Sequence, residues 1–258
     1  CDESTANVTP STGGTWSSSS PSIATVTNAG VVTGKSPGTV ILTYTNSTTG
    51  CSNTMNFTVN AVPSVSITGS SEICVGENTT LSPTSGGTWS SSNTSVATVT
   101  NGGIVTGIAS GTVTFTFTNS TTGCSATTSS VIVDALPVLG GAISVCDGST
   151  AIVTPSSLGT WTSSNTSIAT VTNSGVVTGV NPGIVTLTYT RTSTGCSNTK
   201  TFTVLTTPVV TITGSTTICV GSTTTLSPTS GGTWSSSNPS DATVTNAGIV
   251  TGVSSGSA

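Results

Sequence analysis

The chain has 258 residues, of which three are Lys or Arg, seven are Asp or Glu and none is His, giving a net charge of −4. Three scattered cations, Lys35, Arg191 and Lys200, exclude a nucleic-acid surface, which needs clustered positive charge, and the missing imidazole removes the commonest general base. A composition dominated by Thr, Ser and Val, with 30 Gly and 11 Pro, leaves little material for amphipathic helices and predicts an all-β chain. No apolar run approaches the roughly 18 residues that a membrane helix requires.

The cysteines divide this chain into repeats. Cys1, Cys74, Cys146 and Cys219 each precede a tryptophan by one constant interval, at Trp16, Trp89, Trp161 and Trp234. A second constant interval separates Cys51, Cys124 and Cys196 from the first cysteine of their own repeat. The spacing of first cysteines is the same from Cys1 to Cys74 and from Cys146 to Cys219 but one position shorter from Cys74 to Cys146, so all the slack falls between the second cysteine of one repeat and the first of the next. That is how a linker between rigid bodies behaves. The junctions Ala61-Val62-Pro63, Ala135-Leu136-Pro137 and Thr207-Pro208-Val209 each carry a proline, which restricts the backbone and removes an amide donor. The expected segments are 1–61, lacking its first strand; 62–134 and 135–206, both complete; and 207–258, which stops before its later strands. The counterpart of Cys219 would fall past Ala258.

Strands can be predicted in order along the second repeat. Val65-Ser66-Ile67-Thr68 alternates, Thr79 to Ser82 follows the first cysteine, and Gly86-Gly87 turns the chain into Thr88-Trp89-Ser90. Val96 to Thr100 and Ile104 to Thr106 are joined by Asn101-Gly102-Gly103, whose tolerance of positive φ suits a hairpin. Thr112 to Thr118 then places Val113, Phe115 and Phe117 on one face and threonines on the other, and Val131-Ile132-Val133 closes the repeat. Seven short strands around one large aromatic describe a two-sheet sandwich.

In so small a module a buried ring matters disproportionately. Trp16, Trp89, Trp161 and Trp234 are expected in the core, with Tyr44, Phe117 and Tyr189 at equivalent positions of the alternating strand. The other reading of these rings is exposure for stacking on sugars. For the cysteines, the pairs Cys1–Cys51, Cys74–Cys124 and Cys146–Cys196 are expected, with the partner of Cys219 past the chain end. Each would close a loop of about 50 residues, worth on the order of 4 kcal/mol in the chain-entropy model. Pairing across a junction, for example Cys51 with Cys74, is the alternative; it would lock neighbouring repeats but encloses the segment of variable length. Persistent disulfides place the chain in an oxidising compartment, outside the cell.

Catalytic and metal chemistry find few groups to use. There is no Cys-x-x-Cys pair, and the acids Asp2, Glu3, Glu72, Glu77, Asp134, Asp147 and Asp241 do not recur as a pair in each repeat. Glu72 and Glu77 flank Cys74 on an expected loop and read as solvated surface charge. No enzyme activity, cofactor or metal is expected. Asn7, Asn46, Asn56, Asn78, Asn93, Asn119 and Asn165 fit the N-x-Ser/Thr pattern and are candidate glycosylation acceptors.

The run from Gly87-Thr88-Trp89-Ser90 through Val96-Ala97-Thr98-Val99-Thr100-Asn101-Gly102-Gly103 to Gly107, followed by Gly111-Thr112-Val113, resembles the group 2 bacterial immunoglobulin-like domain of invasin and intimin relatives. It returns at 16–38, 161–183 and 234–252, with Leu158 replacing the first glycine of the turn before Trp161. The Thr/Ser-rich, cysteine-bearing variant is similar to repeats in long surface proteins of gliding and marine Bacteroidetes, including gliding adhesins. The resemblance implies tandem immunoglobulin-like β-sandwich domains in an extended rod, at the surface of a bacterium or secreted from it. The implied role is the structural repeat region of a filament or adhesin stalk; an array of carbohydrate- or protein-binding modules is the alternative. Partners would be the neighbouring repeats, other copies of the fibre or surface glycans.

Overall fold

The computed structural model describes residues 1–258, which fall into two compact units, Cys1–Val138 with Thr190–Asn198, and Leu139–Tyr189 with Thr199–Ala258. In the first unit, the first repeat forms one antiparallel sheet from Thr5–Asn7, Val31–Gly34 and Ala24–Val26, and a second from Gly14–Ser18, Gly38–Asn46 and Ser52–Val59. The second repeat has a four-stranded sheet of Ala97–Val99, Ile104–Gly107, Asn78–Ser82 and Ser66–Ile67. Its other strands pair as Gly87–Ser91, Phe115–Asn119 and Ser125–Thr127, and as Gly111–Val113, Val131–Asp134 and Glu72–Cys74. Leu81, Val105 and Ala97 from the four-stranded sheet share one core with Trp89, Phe115, Phe117 and Val131 from the others.

In the second unit, Gly140–Gly141, Thr150–Thr154, Val176–Gly179 and Ala169–Val171 form one sheet of the third repeat. Ser144–Cys146, Ser197–Leu205, Gly183–Arg191 and Gly159–Ser163 form the other. The fourth repeat folds as a single sheet of Thr211–Ile212, Thr223–Ser227, Ile249–Gly252 and Ala242–Val244.

All seven strands expected in the second repeat have counterparts, but two short ones were not anticipated, Glu72–Cys74 and Ser125–Thr127. The segment around Cys74 was expected to be a loop. Instead it runs parallel to the last strand, pairing Cys74 with Asp134 at a sequence separation that local periodicity does not register. The long alternating strand is continuous as Gly38–Asn46 and Gly183–Arg191 in the first and third repeats, yet divides into Gly111–Val113 and Phe115–Asn119 in the second. Val113, Phe115 and Phe117 nevertheless face inward as the alternation required.

Tryptophan organises each core through the same three contacts. Its ring lies 5.2 Å from that of the aromatic on the facing strand, for Trp16 with Tyr44, Trp89 with Phe117 and Trp161 with Tyr189. The buried indole N–H donates to the carbonyl six residues earlier, at Pro10 (2.8 Å), Pro83 (2.9 Å) and Pro155 (2.7 Å). The tryptophan amide in turn donates to the side-chain carbonyl of Asn28, Asn101 or Asn173. A large apolar ring is thereby buried with its polar atom satisfied. Tyr44 and Tyr189 use their hydroxyls in a further bond, to the carbonyls of Thr12 and Ser157. Trp234 makes the same indole bond to Pro228, 3.0 Å, but is only half-buried, because a single sheet covers one side of it.

Two turn positions carry sharp backbone requirements. A Cβ on Gly87 would lie 2.2 Å from the Thr118 carbonyl oxygen and 2.4 Å from Phe117 Cζ, so the glycine is what lets the strands close over the ring. The preceding position takes positive φ at Gly13, Gly86 and Gly231, and Leu158 adopts it too, at 68°, with its side chain in solvent. A side-chain-bearing residue there costs roughly 1–2 kcal/mol.

Gly87→Ala should therefore destabilise the second repeat by about 2 kcal/mol, seen as a lower denaturation midpoint with the first and third repeats unchanged. Leu158→Gly should act in the opposite direction, stabilising the third repeat by about 1 kcal/mol after the flexibility of glycine in the unfolded chain is counted.

Candidate functional site

The ends of each sandwich are set by its long hairpin. In the first repeat the hairpin register runs from Gly38 opposite Val59 at one pole to Thr45 opposite Ser52 at the other, with Cys51 just past the last rung. Cys1 lies at the opposite pole, where the Asp2 amide donates to the Asn60 carbonyl at 3.1 Å. The second repeat repeats this layout. Cys74 sits beside Asp134 at the pole where Gly111 faces Val133, and Cys124 closes the turn after Asn119 at the far pole. About seven rungs at about 3.4 Å each, roughly 24 Å, therefore separate the two cysteines of one repeat, whereas a disulfide needs Cα atoms within about 7 Å.

The expected pairs Cys1–Cys51, Cys74–Cys124 and Cys146–Cys196 are thus replaced. Cys1 bonds Cys124 and Cys74 bonds Cys196, each with Cα atoms 5.6 Å apart. Each bond runs from the first cysteine of one repeat to the second cysteine of the next. The alternative Cys51–Cys74 pair is not formed either; Cys51 is a free, exposed thiol, as is Cys219, and Cys146 is free and half-buried. The sequence separations are 123 and 122 residues. Each bond alone removes about 5 kcal/mol of unfolded-chain entropy in the simple loop model, and the two loops overlap between Cys74 and Cys124, so their effects do not add.

Local hydrogen bonds present both ends of each bond. The hairpin tips share one turn: Gly50, Gly123 and Gly195 amides donate to Asn46, Asn119 and Arg191 carbonyls at 2.9 Å, and the amide of each tip cysteine meets the hydroxyl of Thr49, Thr122 or Thr194. Beside the Cys1–Cys124 bond, Cys124 Sγ is 4.0 Å from the Asn60 carbonyl oxygen. Beside Cys74–Cys196, Arg191 Nη1 donates to the Ala135 carbonyl (3.4 Å) and Asn198 Nδ2 to that of Pro137 (3.0 Å). These bonds explain why Thr190–Asn198 groups with the first compact unit although it belongs by sequence to the third repeat.

Cys146 occupies the same polar position in the third repeat, paired with Leu205 on the parallel strand. Beside it, Asp147 accepts hydrogen bonds from the Thr207 hydroxyl and, at 2.6 Å, from the Thr207 amide. The hydroxyl first and the amide second hold this carboxyl below its ordinary range.

Of the candidate glycosylation acceptors, Asn7, Asn56, Asn78, Asn93 and Asn165 are exposed, and Asn46 and Asn119 are half-buried. The amide oxygens of Asn46 and Asn119 cap the hairpin turns, accepting from Thr48 and Thr49 and from Thr121 and Thr122. Those of Asn93 and Asn165 accept from the amides of Ser95 and Ser167. An open groove in the fourth repeat, lined by Ile212, Leu226 and Val250 together with Thr224, Ser236 and Asp241, lies along its single sheet.

The family model for the bacterial Ig-like domain (group 2) matches residues 3–57, 54–130 and 149–204. The chain belongs to this family. Solved structures similar to these group 2 Ig-like repeats include surface layer protein SbsC, domains 1–6, at 19% identity over 94% of this chain and 39% of that one, with a TM-score of 0.25. The bacterial integrin-binding protein invasin is similar at 17% identity over 80% of this chain and 54% of its own, with a TM-score of 0.38. A C-terminal fragment of intimin follows at 13% identity over 67% of this chain and 59% of its own, with a TM-score of 0.31. The chain thus spans less than two thirds of these structures. No curated protein matches it.

Peptide mapping of the oxidised, unreduced chain should return Cys1–Cys124 and Cys74–Cys196 as linked peptides, and an isolated 62–134 repeat should instead expose two alkylatable thiols. Recovery of a Cys74–Cys124 peptide from the intact chain would contradict the geometry above. For Asp147 the depressed folded-state value means that its contribution to stability is present above the ordinary carboxylate value of 3.8 and lost as pH falls through the folded one. Asp147→Asn should flatten this part of the acid-unfolding profile of the third repeat.

Proposed function

We propose that this chain is the structural repeat region of a long filament or adhesin stalk, secreted or held at the surface of a bacterium. The observation that carries the reading is the cross-repeat disulfide: the bonds Cys1–Cys124 and Cys74–Cys196 join successive group 2 Ig-like repeats. A covalent tie between neighbours serves a stalk, whose repeats must stay in line. Disulfides of this kind persist outside the reducing cytosol, and the similarity to Bacteroidetes gliding-adhesin repeats is in keeping with that setting. The four segments 1–61, 62–134, 135–206 and 207–258 are its building blocks in this reading, and the exposed Asn7 and Asn56 are its open glycosylation acceptors.

An array of sugar-binding modules would need an aromatic face in solvent on each repeat. Trp16, Trp89 and Trp161 are instead buried against Tyr44, Phe117 and Tyr189, which favours the stalk.

Immunogold electron microscopy of the source cells, with an antibody against residues 62–134, should show label strung along filaments projecting from the cell. Compact label on the surface, without filaments, would overturn the stalk reading in favour of a binding array.

A further inference from the structure

The disulfide pattern has a mechanical property that neither the repeats nor the bonds possess alone. Starting at Cys1, the shortest covalent route forward crosses to Cys124 and follows the backbone only from there to Cys146, in place of the whole chain from Cys1 to Cys146. A second route starts at Cys51, follows the backbone to Cys74, crosses to Cys196, and follows the backbone again to Cys219, in place of the whole chain from Cys51 to Cys219. The two routes share no residue. Bypassed by both are the interiors of the stretches 1–51, 74–124 and 146–196, which hold Trp16, Trp89 and Trp161 and most of each core.

About half of each segment along these routes is already strand in the folded protein. From Cys51 to Cys74 the chain forms strands Ser52–Val59, Ser66–Ile67 and Glu72–Cys74; from Cys124 to Cys146 it forms Ser125–Thr127, Val131–Asp134, Gly140–Gly141 and Ser144–Cys146; after Cys196 it forms Ser197–Leu205 and Thr211–Ile212. A strand rises about 3.3 Å per residue, against a limit of about 3.6 Å for a fully stretched chain. Pulling therefore gains little length from these strands and only the slack of the loops between them, and unfolding the bypassed stretches gains none between the ends of either route.

We propose that the oxidised chain carries tension along two separate covalent lines, Cys1–Cys124 to Cys146 and Cys51 to Cys74–Cys196 to Cys219, each of which leaves the core-forming stretches outside the path of a force applied between its own ends. The function this adds is inextensibility under load. Ordinary tandem domains lengthen by their whole hidden chain when they unfold; here the folded repeats can be lost without the line giving way. Reduction of the disulfides switches the protein to the extensible behaviour.

Single-molecule pulling tests this on the purified chain, independently of where the protein sits on a cell. Cys51 and Cys219 are free and exposed, so maleimide-linked DNA handles attach there in a Cys146→Ser variant. The oxidised chain should extend between the handles to no more than about 160 Å, the stretched length of the two backbone segments 51–74 and 196–219. Treatment with a phosphine reductant, which spares the handle thioethers, should lengthen the limit more than threefold, with stepwise unfolding. A Cys74→Ser/Cys196→Ser variant should show a comparable gain while still oxidised, and because the limit is a contour length the result holds whether or not that variant folds. Oxidised and reduced chains reaching the same length would overturn the proposal.

Discussion

A disulfide bridges Cα atoms only about 6 Å apart, and the sandwich it must serve is several times longer. Everything distinctive about this chain follows from that mismatch. In the second and third repeats the long hairpin carries its tip cysteine to one pole, while the parallel strand that opens the repeat holds the first cysteine at the other. Neither can find a partner at home. The bond becomes possible only where one repeat ends and the next begins, so the same hairpin that fills the core also sets the spacing of the cross-links.

Because the cores are self-sufficient, the cross-links are free to act between repeats. Each complete core closes around a tryptophan whose indole N–H, amide and ring are all engaged, and valines and leucines from both sheets surround it. Outward threonines add cross-strand bonds of their own, as between Thr39 and Thr58 or Thr116 and Thr127. With so few charges, surface ion pairs are no part of the design. Apolar packing and satisfied backbone hold each repeat together, and the disulfides add to its stability while tying one repeat to the next.

Division of labour of this kind suits a fibre. A stalk built of independent domains is only as inextensible as its weakest fold, because each domain hides a long chain behind a marginal free energy. Cross-linking one repeat to the next places the segments 51–74 and 196–219, each with one long strand of a sandwich, in series with a sulfur–sulfur bond. The segment whose length varies between repeats is part of such a line, and the variation reaches into the second sandwich: its hairpin register shifts by one between Val113 opposite Val131 and Thr116 opposite Thr127, where the long strand divides.

Much of this was legible in the residues. The regular interval between cysteine and tryptophan revealed the repeat, the alternation of Val113, Phe115 and Phe117 revealed the inward face, and Gly-Gly before Trp89 revealed a turn whose second glycine has no room for a side chain. These are local patterns, fixed by side-chain period and backbone sterics within a short stretch of chain. Disulfide pairing is not local. A constant interval between cysteines is silent about whether the chain returns to its starting pole, and that depended on the short parallel strand at Glu72–Cys74, which leaves no periodic trace. Local patterns in the residues are enough to say what each repeat is; what each repeat is bonded to depends on which pole of a sandwich each cysteine reaches, and that emerges only when distant strands pair.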